Sequence, residues 1–125
     1  MMKYGVLAAT LMVGMMAFGG NALAAGDAVK GKTVFKKCAI CHSAEKGKNK
    51  IGPSLFGIFG EKAAEVKGFR FSPAMKKSGL TWDEATLDKY LTNPRKVVKG
   101  TRMVFAGLRS KKDRENVIAY LKSLK

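Results

Sequence analysis

The chain has 125 residues, enough for one small domain with one modest core. Its 24 lysines and arginines against 9 acidic residues set a net charge of +15, a field that draws acidic partners and speeds their encounter. Two cysteines and one histidine leave any zinc site of this chain short of four soft ligands.

The first segment, "MMKYGVLAATLMVGMMAFGGNALAA", has one cation near its start, a long apolar run, and then Ala22-Leu23-Ala24. That order marks a secretory signal peptide. Its charge-free stretch from Tyr4 to Ala25 is also long enough to span a bilayer, so an uncleaved anchor is the alternative. The small residues and the Ala-x-Ala site favour cleavage. Residues 1–24 are therefore expected to be a cleaved signal, and 25–125 a single domain in the periplasm, soluble after cleavage. An exported protein rarely meets nucleic acid, so no nucleic-acid partner is expected despite the basic charge.

Asp27 can cap a first helix, with Val29, Val34 and Phe35 as inward candidates and Gly31 on a nearby face. Residues 43–60 are rich in Gly and Lys and carry Pro53, which predicts loop with a turn near Leu55-Phe56-Gly57. A short helix is expected over Pro73 to Lys77, stopped by Gly79. Thr81 and Glu84 form a capping-box pattern before "TWDEATLDKYLTNP", where Trp82, Leu87, Tyr90 and Leu91 suit a buried side and Asn93-Pro94 ends the helix. "VVKGTRMVFAGL" has no helical period and reads as extended or looped. Ser110 or Asp113 caps a last helix whose stripe is Val117, Ile118, Tyr120, Leu121 and Leu124. No strand pattern and no repeat stands out. The expected fold is all-α, with three main helices, short helices, and long loops that need something to pack on.

"KKCAICHSAE" supplies that something. An export signal permits a Cys38–Cys41 disulfide, but so small a loop stabilises little. A thioredoxin-like reading of C-x-x-C needs a βαβ context, which is missing. C-x-x-C-H is the attachment motif of c-type haem. Cys38 and Cys41 add to the two vinyl groups, and His42 lies under the ring where its imidazole can bind iron. A covalent haem c is also a large apolar body on which loops can pack.

A second axial ligand decides between electron transfer and an open iron. No other histidine exists, and Met is the other common axial partner in cytochromes c. Met1, Met2, Met12, Met15 and Met16 leave with the signal, so Met75 and Met103 remain. Met103 lies in the apolar loop "GTRMVFAG", where Gly100 lets the backbone turn the sulfur inward. Met75, beside Lys76 and Lys77 in a short helix, reads as core filler.

The segments "GDAVKGKTVFKKCAICH", "GPSLFGIFG", "GLTWDEATLDKYLTNPRK", "GTRMVFAG" and "ENVIAYLKSL", in this order, resemble the class I cytochromes c of the small bacterial cytochrome c2 type. The resemblance covers essentially the whole mature chain. It implies thioether links at Cys38 and Cys41 and axial ligation by His42 and Met103. Pro53 matches the proline whose carbonyl accepts from the histidine. Tyr90 and Thr101 match polar residues on the methionine side, and Trp82 matches the indole that donates to a propionate. Gly31, Phe35 and Tyr120 match the crossing of the first and last helices. Three positions depart from the family pattern. Phe71 stands where many relatives have Tyr, Glu61 where many have Arg, and Lys99 where Pro is usual. The first two remove propionate partners, leaving Trp82, Ser72 or Arg70 to cover more.

The function so implied is one-electron transport between membrane redox complexes. The donor would be a quinol-oxidising complex, and the acceptor a terminal oxidase or a photosynthetic reaction centre. Lys36, Lys37, Arg95, Lys96, Lys99 and Arg102 flank the haem-binding segments and are candidates to dock acidic partner surfaces. The protein is expected to act as a monomer and not as an enzyme. The alternative is a haem peroxidase or gas-binding protein with an open sixth position, which needs Met103 off the metal.

Overall fold

A computed structural model describes residues 26–125. The expected signal segment, 1–24, lies outside the described residues. Five helices run in order: α1 (Ala28–Phe35), α2 (Pro73–Lys77), α3 (Glu84–Thr92), α4 (Pro94–Val97) and α5 (Lys111–Ser123). The three longer ones are the main helices that periodicity predicts. Among the described residues the only β feature is one isolated antiparallel bridge, Lys62 with Thr81. No described helix is long and apolar enough to cross a membrane.

α1 starts where Asp27 accepts hydrogen bonds from the backbone N–H groups of Val29 and Lys30. Gly31 and Phe35, four apart, form its buried stripe. Val29 points outward and is 80% exposed, contrary to its expected inward place. A two-turn helix has one narrow inner stripe, and Val29 is off it. The stripe crosses α5. A methyl on Gly31 would run into the Asn116 carbonyl, and its Cβ would sit 2.8 Å from the Tyr120 Cβ. Phe35 then packs on Tyr120 with ring centroids 5.1 Å apart. The buried Asn116 side chain accepts from the Asp27 N–H at 2.9 Å and ties α5 to the start of α1.

α3 does not begin with a Thr81 capping box. Asp83 is its cap, accepting from the Thr86 N–H at 2.8 Å, while Thr81 is drawn into the bridge with Lys62. Leu87, Tyr90 and Leu91 are buried, as their spacing predicts. Asn93 ends α3 and also opens α4, its side chain accepting from Lys96 N–H, with Pro94 at the first helical position. Ser110, rather than Asp113, caps α5.

The core joins Phe35, Leu87, Tyr90, Leu91, Val98, Leu108, Val117, Ile118 and Leu121 from the helices and the 98–110 loop, with Ile58 from the first loop. Residues 43–72 hold no helix. Side-chain bonds to backbone order that stretch instead. Asn49 accepts from Ser54 N–H at 2.9 Å and donates to the Lys67 carbonyl at 3.0 Å. The Ser54 hydroxyl donates to the Glu45 carbonyl at 2.6 Å.

Candidate haem site

The C-x-x-C-H segment hangs directly from α1. Cys38 and Ala39 N–H both donate to the Phe35 carbonyl, and Cys41 and His42 N–H both donate to the Cys38 carbonyl, at 2.8–3.0 Å. These turns carry the chain around without extending the helix. The segment 50–52 lies against it: Gly52 N–H donates to the Cys41 carbonyl at 2.8 Å, and the Lys50 ammonium to the Ala39 carbonyl at 2.7 Å.

Cys38 and Cys41 are half-buried and not joined to each other by a disulfide. Burial pushes the Cys38 thiol up, with Lys37 opposing. The His42 Nδ1 lies 2.7 Å from the Pro53 carbonyl. A carbonyl only accepts, so Nδ1 carries the proton and Nε2 keeps its lone pair. Burial lowers the His42 pKa against the opposing Pro53 bond, and Lys50 adds to the lowering. The ring therefore favours its neutral, metal-binding form. Gly52 packs on the ring, where a Cβ would come within 2.7 Å of Nδ1.

Met103 lies half-buried against the same core as Cys38. Its sulfur accepts from the Tyr90 hydroxyl at 3.5 Å, and its N–H donates to the Thr101 hydroxyl at 3.2 Å. Burial pushes the Tyr90 phenol up, with the Thr101 hydroxyl pulling it back. Trp82 packs on Tyr90 with centroids 4.9 Å apart. The structure thus joins Trp82, Tyr90, Thr101 and Met103 in one contact group, and Cys38, Cys41, His42 and Pro53 in another.

Two cysteines at C-x-x-C spacing, an imidazole whose Nδ1 proton is taken up by Pro53, and a held thioether form a donor set that fits haem c. Among the departures, Glu61 is exposed, and its backbone pairs with Trp82. Phe71 packs edge-on against Phe69 at 4.9 Å. Ser72 is buried and caps α2, and Arg70 is exposed. Lys99 is exposed just before Gly100, which takes a φ of 87°.

The six candidate docking cations, Lys36, Lys37, Arg95, Lys96, Lys99 and Arg102, are all exposed. None of them joins an ion pair among the described residues. Arg95 and Lys96 line a surface groove together with Val104, Phe105 and Ala106 of the Met103 loop. Sequence reasoning missed Ile40 and Ile51, 74% and 78% exposed on the two paired segments beside the thiols. Their signal was present: apolar residues next to the motif with no helical period to bury them.

Residues 28–125 match the cytochrome c family. The chain is 54% identical over 112 residues to cytochrome c2 of Rhodomicrobium vannielii, an alignment spanning 88% of this chain and 90% of that one. It is 58% identical over 90 residues to cytochrome c2 iso-2 of Magnetospirillum fulvum, spanning 72% and 94%. Cytochrome cH from Methylobacterium extorquens, a solved structure, superposes with a TM-score of 0.75 at 48% identity, covering 78% of this chain and 99% of that one. With its C-x-x-C-H segment hung on α1, the chain belongs to the cytochrome c family, as a cytochrome c2-like class I member carrying one covalently attached haem c.

Proposed function

We propose that the chain is a periplasmic one-electron carrier in which His42, through Nε2, and Met103, through Sδ, would hold the haem iron. Cys38 and Cys41 make the thioether links. The bound haem supplies the Fe(II)/Fe(III) couple. The protein residues hold both axial donors ready: the Pro53 carbonyl fixes the imidazole, and Tyr90 and Thr101 fix the methionine. Donors held this way need little rearrangement between oxidation states, which favours fast transfer. Family membership makes the chain an electron carrier rather than an enzyme.

The observation that carries the reading is the Met103 sulfur, held under the Tyr90 hydroxyl. A peroxidase or gas-binding site needs that position open. The N-terminal signal pattern supports the periplasm. The exposed, unpaired cations support acidic docking surfaces on a quinol-oxidising donor complex and on an oxidase or reaction-centre acceptor. Ile40 and Ile51, exposed beside the C-x-x-C-H segment, would suit burial under a docked partner.

The test is an absorption spectrum of the protein matured with haem. A weak near-infrared sulfur-to-Fe(III) band, with no change when carbon monoxide is added to the reduced form, is expected. A carbon monoxide shift without that band would overturn the ligation. N-terminal sequencing of the exported protein should find a start at residue 25 or 26.

A further inference from the structure

We infer that Arg114 is the positioning residue that keeps the Met103 loop closed. The loop runs from Val98, buried behind α4, to Leu108, buried against α3. Its first end is held by local turns: Val98 N–H donates to the Pro94 carbonyl at 2.9 Å, and Thr101 N–H to the Val98 carbonyl at 3.1 Å. Among the described residues, the only N–H bond from Arg102 to Gly107 is that of Met103 to the Thr101 hydroxyl. Apart from that bond, the Tyr90 contact to the sulfur and the packing of Met103 and Phe105 on the core, the segment is held from its two ends.

The far end depends on α5. The Arg114 guanidinium reaches back across the start of α5 and donates through Nη1 to the Leu108 carbonyl at 2.8 Å and the Arg109 carbonyl at 3.0 Å. Its Nε donates to Asp88 of α3 at 2.8 Å. Leu108 N–H adds one bond to the Leu91 carbonyl at 2.7 Å. The Arg114 side chain is 11% exposed, so water replaces these bonds poorly. One fixed cation thus locks two consecutive loop carbonyls to two helices at once. The planar fork suits this task, and an ammonium cannot reproduce it.

The consequence is local. Without Arg114 the chain keeps its thioether links, His42 and the α1–α5 crossing, while the Met103 segment gains freedom to swing away. Opening of that segment exposes the sixth iron position. This rests on Met103 being the sixth ligand.

The experiment measures cyanide binding to the ferric haem protein for wild type, Arg114→Gln, Arg114→Lys and Val117→Ala. Val117 is 1% exposed in α5 and touches no loop carbonyl bond described above, so its truncation reports general loss of stability. Loss of charge-assisted bonds on a buried face should speed cyanide binding about tenfold or more in Arg114→Gln. Arg114→Lys should fall between it and wild type. Val117→Ala should bind at the wild-type rate even where its denaturant midpoint falls as far. Hydrogen exchange of amides 102–108 should quicken in Arg114→Gln alone. Equal cyanide rates in Arg114→Gln and Val117→Ala at matched midpoints overturn the inference. A wild-type protein lacking the near-infrared sulfur band overturns the ligation reading instead, so the two failures are separable.

Discussion

The hydroxyl of Tyr90 reaches the Met103 sulfur across 3.5 Å, and a donor there draws electron density from the thioether. With Met103 as the proposed iron ligand, a poorer thioether donor would favour Fe(II), so the bond should hold the reduction potential up. A long O–H···S bond lies at the low end of hydrogen-bond strength, about 0.5 kcal/mol. For a one-electron couple that corresponds to about 20 mV. Tyr90→Phe should therefore lower the potential by about that amount in a redox titration, and an unchanged or higher value would refute the role. Tyr90 also titrates with a defined sign. Its folded pKa is raised above the ordinary 10.0, so the stability it contributes is complete below that value and is lost as pH rises through the folded one. The same variant should flatten the loss of stability above pH 10. At this scale the motif residues were legible in the sequence, because C-x-x-C-H holds both cysteines and the one histidine of the chain. Arg114 was not legible. Nothing in "KKDREN" says that its fork will turn back onto Leu108 and Arg109, since that depends on how α5 meets the loop.

Helix α1 owes its place to Gly31, where any side chain would meet the backbone carbonyl of Asn116. Gly31→Val must push α1 and α5 apart or shift the Phe35–Tyr120 pair, and overpacking of this kind costs about 2–3 kcal/mol. The expected readout is a lower denaturant midpoint with the absorption spectrum retained. At the start of α3, the Asp83 carboxylate accepts from Thr86, and this bond holds its pKa below the ordinary 3.8. A lowered carboxylate contributes stability above its unfolded pKa and loses it as pH falls through the folded value. Asp83→Asn keeps a capping acceptor but cannot titrate, so its stability should fall less steeply than wild type below about pH 4. Thermal midpoints across that range check this. The main helices were legible because each buries one stripe at helical spacing. The cap of α3 was misread because the pull of Lys62 on Thr81 is a contact between distant segments. α4 went unseen since Pro94 reads as the end of one helix as readily as the start of the next. The order in residues 43–72 comes from Asn49 and Ser54 bonding to particular carbonyls, which no periodicity announces.

Taken as a whole, the described chain pairs few of its charges: three ion pairs against a net charge of +15 for the full sequence. So unbalanced a surface repels itself and gains nothing in stability, which fits the proposed encounter with acidic partner surfaces. Two explanations are open to measurement. Either the total charge attracts partners, or the cations beside the haem-binding segments orient them. Arg95 and Lys96 flank the Met103 loop at a shared groove, whereas Lys122 and Lys125 sit at the end of the chain, Lys122 over the Phe59 ring. Arg95→Glu with Lys96→Glu changes the net charge by the same amount as Lys122→Glu with Lys125→Glu. If orientation matters, the first pair should slow electron transfer to an acidic partner complex about tenfold at low salt, and the second should barely change it. If only total charge matters, the two pairs should slow it equally. Added salt separates the cases again. At about 1 M the screening length shrinks to about 3 Å, so the first pair should converge on the wild-type rate. A deficit that persists there would mean that Arg95 and Lys96 act through contact with the partner and not through their field.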